Sequence, residues 1–193
     1  FFAWMVGLWF ALFAQNDLSY RLLAYTNVAI GLWGVLHLAR RLGLGALAST
    51  AVLLLLWSLP YANLAAKFNA NSQLLSLWPW TAAMLLASWQ ERGWRGAAAS
   101  AALGLLAAAS MLSKYYSGVF LAGFLVPTLL TGAGRQWLLS PRPYLALTVF
   151  GAALAPHLLW IAGHNWVTLG YAMDQGGGSI QWAYVLRFAL APL

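Results

Sequence analysis

The sequence has no cysteine and almost no acid. Among 193 residues there is no Cys, and Asp17, Glu91 and Asp174 are the three carboxylates. The first absence removes any disulfide framework and any thiolate metal site. The second leaves too few partners for the ten Lys and Arg residues, so the formal net charge is +7. Charged residues reach only 7% of the chain and hydrophobic residues 63%. A soluble domain carries about 25% charged residues, so most of this chain is unsuited to face water. A nucleic-acid surface is excluded as well. Such a surface clusters its cations on one solvated face, whereas these are scattered singly or in pairs between apolar runs.

What is present is a series of runs free of charge: 1–16, 22–39, 42–66, 68–90, 96–113, 115–134 and 143–173. Five of them are 18 to 25 residues long, enough to cross a hydrocarbon core of roughly 30 Å as helix. The last run predicts one span over residues 144–161 followed by an outer loop. The expected fold class is all-α, a polytopic transmembrane helix bundle of about seven to eight spans, forming one membrane domain over residues 1–193. Both ends read as cuts through helices, so a fragment is expected. No signal peptide is expected at residues 1–13, which lack a basic leading region and a small-residue cleavage site. No repeat of 20–50 residues is evident.

Alternating the spans puts Arg40 and Arg41, Arg92 and Arg95, and Arg135 and Arg142 in three short connections on one side. Arginine-rich short loops mark the cytoplasmic side. The opposite, outer side then receives residues 16–20, 61–72, 114–116 and 163–179, which hold most of the polar and acidic loop residues. Trp89, Trp94, Trp137, Trp160, Trp166 and Trp182 fall at these boundaries, where amphipathic rings are favoured. Within the spans, Gly96, Ser100, Gly104 and Ala108 recur every four residues, and Asn27, Gly31 and Gly34 form a similar face. Small-residue stripes of this kind allow close helix packing in lipid.

Chemistry is expected at the outer ends. Lys67, Asn69, Asn71 and Gln73 fall within seven residues. A helix starting near Asn69 would place Asn69, Gln73, Ser76 and Trp80 on one face and pair Lys67 with Asn71 at i, i+4. A capped helix start beside a Lys suits a phosphate; it also suits a structural cap with a Lys snorkelling to the interface. Lys114 separates two charge-free runs and is followed by Tyr115 and Tyr116. It can act as a point charge toward phosphate or as an interface anchor. His157, Trp160 and His164 share a face at i, i+3 and i+7. A His pair seven apart is not a zinc spacing, so no metal ligands are assigned; His157, after Pro156, can line a polar cavity. The run 176–178 of glycines lacks the strand and helix that a phosphate-binding Gly motif needs. A polytopic transporter and a non-catalytic membrane scaffold are the competing readings. The first would place charge near the midplane, and the second needs no polar clusters at outer ends.

Several segments in order resemble the family 39 membrane glycosyltransferases, which include protein O-mannosyltransferases and the lipid A aminoarabinose transferase. They are Tyr20-Arg21-Leu22-Leu23, Leu38-Ala39-Arg40-Arg41-Leu42-Gly43, Phe68-Asn69-Ala70-Asn71 with Leu74-Leu75-Ser76-Leu77-Trp78-Pro79, and Leu112-Ser113-Lys114-Tyr115-Tyr116. Ser140-Pro141-Arg142-Pro143-Tyr144, Ala155-Pro156-His157-Leu158-Leu159-Trp160 and His164-Asn165-Trp166-Val167 complete the set. The resemblance implies a GT-C fold in a bacterial inner membrane, with a sugar donor on a polyprenyl phosphate. It implies transfer on the periplasmic side to a lipid, glycan or protein acceptor, with membrane lipids as surroundings and no nucleic acid. The implied chemistry is inverting: an outer-loop Asp takes the acceptor's proton while polyprenyl phosphate leaves. Lys114 matches the family's Lys after the fifth span and is the expected phosphate contact. Tyr115, Lys67, Asn69, Asn71, Gln73 and His157 complete the expected substrate-binding set. Asn71 stands where many members carry Asp. A divalent metal is possible in the full-length protein. The catalytic Asp is expected upstream of Phe1, and Asp17 belongs to a later outer loop.

Overall fold

The structure is a computed structural model that describes residues 1–45, 47–56, 66–166, 168 and 170. The described residues form helices and turns, with no strand among them. In chain order the helices are α1 (Phe2–Leu12), α2 (Asp17–Arg41), α3 (Leu47–Leu56), α4 (Ala70–Gln90), α5 (Gly93–Ser113), α6 (Ser117–Gly123), α7 (Leu125–Leu130), α8 (Gly132–Leu138) and α9 (Arg142–Gly163). The chain is thus an all-α membrane bundle, the fold class its composition predicts. It divides into two compact units, Phe1–Ala155 and Pro156–Leu193.

Among the described residues three helices are long and apolar enough to cross a membrane, namely α2, α5 and α9, and a fourth span results if the broken segment from α6 to α8 counts as one. The sequence predicts about seven to eight spans, and the difference has identifiable sources. The run 42–66 contributes α3, after which residues 57–65 lie outside the described residues, as does the expected segment from Gln181. The run 115–134 was expected as one span. Its helical stretch, Ser117–Leu130, instead meets α8 at 106°. Thr131 is the pivot: it is extended, with ψ at 146°, and its side-chain oxygen accepts the Gly134 N–H at 3.1 Å. Gly134 must be glycine, because a Cβ there would lie 2.3 Å from the Thr128 carbonyl oxygen.

The first unit is organised around α4. Helix α2 runs parallel to it, as four successive contacts show. Tyr20 Oη donates to Phe68 O at 2.6 Å, and Asn27 Nδ2 to Ser72 O at 2.7 Å. Trp80 Nε1 donates to Ile30 O at 2.9 Å, and Arg41 reaches Gln90 and Glu91. The face of Asn27, Gly31 and Gly34 makes this packing. Asn27 also accepts the Ser76 hydroxyl at 2.6 Å, so its amide is satisfied while buried. A Cβ on Gly31 would fall 2.3 Å from Leu75 O, and one on Gly34 would fall 2.8 Å from the Trp80 ring. Pro79 contributes to this approach. It has no N–H to return to the Leu75 carbonyl, and that carbonyl is the one Gly31 meets.

Helix α5 returns antiparallel to α4, and α9 runs parallel to α5. The stripe Gly96, Ser100, Gly104 and Ala108 is buried along its length. At Gly104 a Cβ would lie 2.3 Å from the Ala146 carbonyl of α9. Leu85, Leu103, Trp137 and Ala146 form an apolar cluster from four helices. Leu12, Trp33, Leu130 and Leu139 are exposed, as side chains facing acyl chains are.

The bundle therefore has two chemically distinct ends. At one, Arg41 pairs with Glu91 at 3.2 Å, Gln90 Nε2 donates to Arg41 O at 3.1 Å, and Arg142 Nη1 donates to Ser88 O and Glu91 O at 2.6 and 2.7 Å. The arginine-bearing connections are gathered here. The Arg41 and Glu91 side chains remain partly exposed, at 22% and 33%, and such pairs contribute about 0–1 kcal/mol. A double-mutant cycle of Arg41→Gln and Glu91→Gln is expected to return a coupling below about 1 kcal/mol at physiological salt. A value of several kilocalories would mean that water is excluded from the pair.

In the second unit, Trp160 stacks between His157 and His164, with ring centroids 6.2 and 4.3 Å away. His164 Nδ1 lies 2.7 Å from Trp160 O. The helix ends in a turn where Asn165 and Trp166 both adopt positive φ, 53° and 56°.

Candidate functional site

The end opposite the arginines is built from the start of α4, the end of α5 and the start of α6. Asn69 is the N-cap of α4. Its Oδ1 accepts the Asn71 and Ser72 N–H groups at 2.9 and 3.0 Å, and its own N–H donates to Ser72 Oγ at 2.8 Å. This reciprocal cap satisfies amides that a helix start otherwise leaves open. The capping reading of Asn69 is therefore realised in the structure.

One turn on, the chain meets α5. The Ser113 hydroxyl lies 2.8 Å from Gln73 Oε1 and 2.9 Å from Ala70 O. Gln73 is consequently buried, at 3% exposure. The face it shares with Asn69 and Ser76 packs on neighbouring helices. Lys114 follows as the C-cap of α5. Its extended backbone, φ −157° and ψ 126°, ends the helix and turns the side chain outward. Its Nζ donates to Asn71 Oδ1 at 2.6 Å.

The expected pairing of Lys67 with Asn71 is not what forms. That spacing needs both residues on one helix, and α4 begins only at Ala70. Lys67 is exposed in the non-helical segment before it, and the Asn71 oxygen receives Lys114. Tyr115 is half-buried in the turn after Lys114. His157 belongs to the second unit, in the stack with Trp160.

Residues outside the expected set hold this end together. Ser117 is fully buried, donates to Ser110 O at 2.9 Å and accepts Trp78 Nε1 at 3.1 Å. The Trp78 ring stacks on Phe120 with centroids 4.6 Å apart. Asn27 and Tyr20 pin α2 to the same end. The available signal was hydroxyls and an amide inside apolar runs, since buried polar groups in lipid need partners. The three-residue turn carrying Lys114 is thus clamped by Ser113 on one side and Ser117 on the other.

The electrostatics of the two ends differ. Among the described residues the salt bridge Arg41–Glu91 lies at the arginine end, whereas Lys114 is held by a neutral amide. Its charge remains uncompensated at that contact. Among the described residues no group of three or more His, Asp or Glu side chains comes together.

The family model described as dolichyl-phosphate-mannose-protein mannosyltransferase matches residues 1–160. The chain belongs to this family. It is therefore a multi-pass membrane protein and a membrane glycosyltransferase of the GT-C type, in agreement with the resemblance read from the ordered motifs. Comparison with curated proteins and with solved structures returned no match. The matched region contains both the Asn69–Asn71 cap and Lys114.

Proposed function

We propose that this membrane glycosyltransferase takes its sugar from a polyprenyl-phosphate donor and passes it to a lipid, glycan or protein acceptor at the outer face of a bacterial inner membrane. The observation that carries the reading is the contact between Lys114 Nζ and Asn71 Oδ1 at 2.6 Å. It positions an ammonium without neutralising it, at the bundle end remote from the arginines.

In this reading the acceptor's nucleophilic atom attacks the anomeric carbon and the bond from that carbon to the phosphate oxygen breaks. The oxygen keeps the electron pair, and polyprenyl phosphate leaves. A general base takes the acceptor's proton. Lys114 meets the negative charge that grows on the departing phosphate, the kind of charge that a fixed donor stabilises most. Asn71 orients the ammonium, while Gln73 and Asn69 act indirectly, by seating the α4 start against Ser113. Tyr115 lies in the same turn, and Lys67 is exposed in the segment before α4. His157 belongs to the second unit and is assigned no step. Asn71 offers an amide where a carboxylate would favour a divalent ion, so no step is assigned to a metal.

The donor class is tested with the full-length protein in proteoliposomes. Label is expected to pass to acceptor from a polyprenyl-phosphate-linked sugar and not from a nucleotide sugar. Transfer from the nucleotide sugar alone would overturn the reading.

Sidedness has its own test. The chain is free of Cys, so single Cys residues report position directly. In intact cells an impermeant maleimide is expected to label Lys67→Cys and to spare Arg95→Cys. The opposite pattern would invert the proposed orientation.

A further inference from the structure

A second region with the chemistry of a binding site lies at the arginine end, away from Lys114. A cleft of about 560 Å³ opens between the α4–α5 connection, α8 and the start of α9. Trp89, Gln90, Arg92, Gln136 and Arg142 give it its polar wall, and its lining contains no carboxylate. The nearest acid in sequence, Glu91, directs its carboxylate to Arg41 instead.

The two guanidinium groups are prepared differently. Arg142 is held rigidly: Nη1 donates to Ser88 O and Glu91 O, and Nε donates to Ser140 Oγ at 3.2 Å. All of these partners are neutral, so the charge of Arg142 stays uncompensated. Arg92 is exposed at the N-cap of α5 and makes no side-chain cap, which leaves its fork able to turn into the cleft. The indole N–H of Trp89 is buried with no hydrogen-bond partner among the described residues. A cleft with two cations, two amides and no acid selects an anion, and guanidinium forks match phosphate oxygens.

The surroundings point to a lipid as the bearer of that phosphate. Leu139 and Trp94, close in sequence to the lining residues, are 90% and 76% exposed. Both are large apolar side chains left uncovered. Basic pockets between membrane helices on the arginine-rich side suit anionic head groups. We propose that this cleft binds the phosphate head group of an anionic phospholipid in the leaflet at the arginine end. The site is separate from the sugar-transfer site and is read out without any transfer reaction.

The test uses the purified full-length protein in detergent, with native mass spectrometry of retained lipid. Phosphatidylglycerol and phosphatidylcholine are titrated separately, and inorganic phosphate is added as a competitor. The protein is expected to hold phosphatidylglycerol about tenfold more tightly than phosphatidylcholine, the scale of one charge-assisted contact. Arg92→Gln is expected to remove most of that preference. Arg142→Lys, which keeps the charge but loses the fork, should weaken it with the thermal midpoint monitored in parallel. Arg40→Gln, exposed on α2 and outside the cleft lining, should leave it unchanged. Equal retention of the two lipids would overturn the proposal, as would an unaltered preference in Arg92→Gln. Displacement of phosphatidylglycerol by inorganic phosphate at equal concentration would also overturn it, by making the cleft a free-anion site.

Discussion

Lys114→Ala in the full-length enzyme is expected to lower turnover by about tenfold or more while leaving the protein folded. The scale follows from losing one charge-assisted contact to a leaving phosphate, roughly 1.5–3 kcal/mol, with about 1.4 kcal/mol per factor of ten. Folding should survive because Lys114 is exposed and its contact to Asn71 is a single surface hydrogen bond. The helix end itself is held by Ser113 and Ser117, which the substitution leaves in place. The loss should fall mainly on kcat, since charge on the phosphate grows as the bond to the sugar breaks. Lys114→Arg keeps the charge and should recover part of the rate. Asn71→Ala frees the ammonium without removing it, so a smaller loss is expected. Steady-state turnover with a polyprenyl-phosphate sugar measures all three. Near-normal turnover of Lys114→Ala would reduce Lys114 to an interface anchor.

Gly31→Ala is expected to destabilise the bundle more than any polar substitution at the α2–α4 contact. The added Cβ would lie 2.3 Å from Leu75 O and 2.8 Å from Leu75 C, both backbone atoms. Backbone cannot swing aside as a side-chain tip can, so the two helices must separate along their shared face. Overpacking of this kind costs about 1–3 kcal/mol, and the rigid neighbour argues for the upper half. Polar contacts between membrane helices average only about 0.6 kcal/mol. Asn27→Ala, although it removes the contacts to Ser72 and Ser76, should therefore cost less. Gly7→Ala is the control, because nothing lies within 4 Å of a Cβ there. The midpoint of thermal unfolding in detergent ranks the three. A Gly31→Ala midpoint equal to that of Gly7→Ala would show that α2 and α4 are not packed as described.

The expectations differ in how they fared, and the reasons are physical. The stripe at Gly96, Ser100, Gly104 and Ala108 was legible because close packing in lipid needs small residues at a helical period. Asn27, Gly31 and Gly34 were legible for the same reason. The Thr131 break was not. Residues 115–134 carry no charge, and hydropathy alone does not register an extended Thr that caps a new helix at Gly134. The Asn69 cap was readable from local chemistry, whereas the partner of Asn71 was not. A spacing of four to Lys67 assumes a helix that begins three residues earlier than α4 does. The actual partner, Lys114, lies 43 positions away.

By itself the sequence determined that the chain is an all-α membrane protein, because so few charges and such long apolar runs leave lipid as the only compatible solvent. It also determined the family, through an ordered set of short motifs. The alternation of the arginines is a local count that survives any packing. The tertiary structure alone decided which polar groups meet. It brought Ser113 to Gln73, Trp78 to Ser117 and Lys114 to Asn71, and it gathered Arg92 and Arg142 around one acid-free cleft. Those pairings depend on helix register and on glycine contacts that bring backbones together, and these arise between segments far apart in the chain.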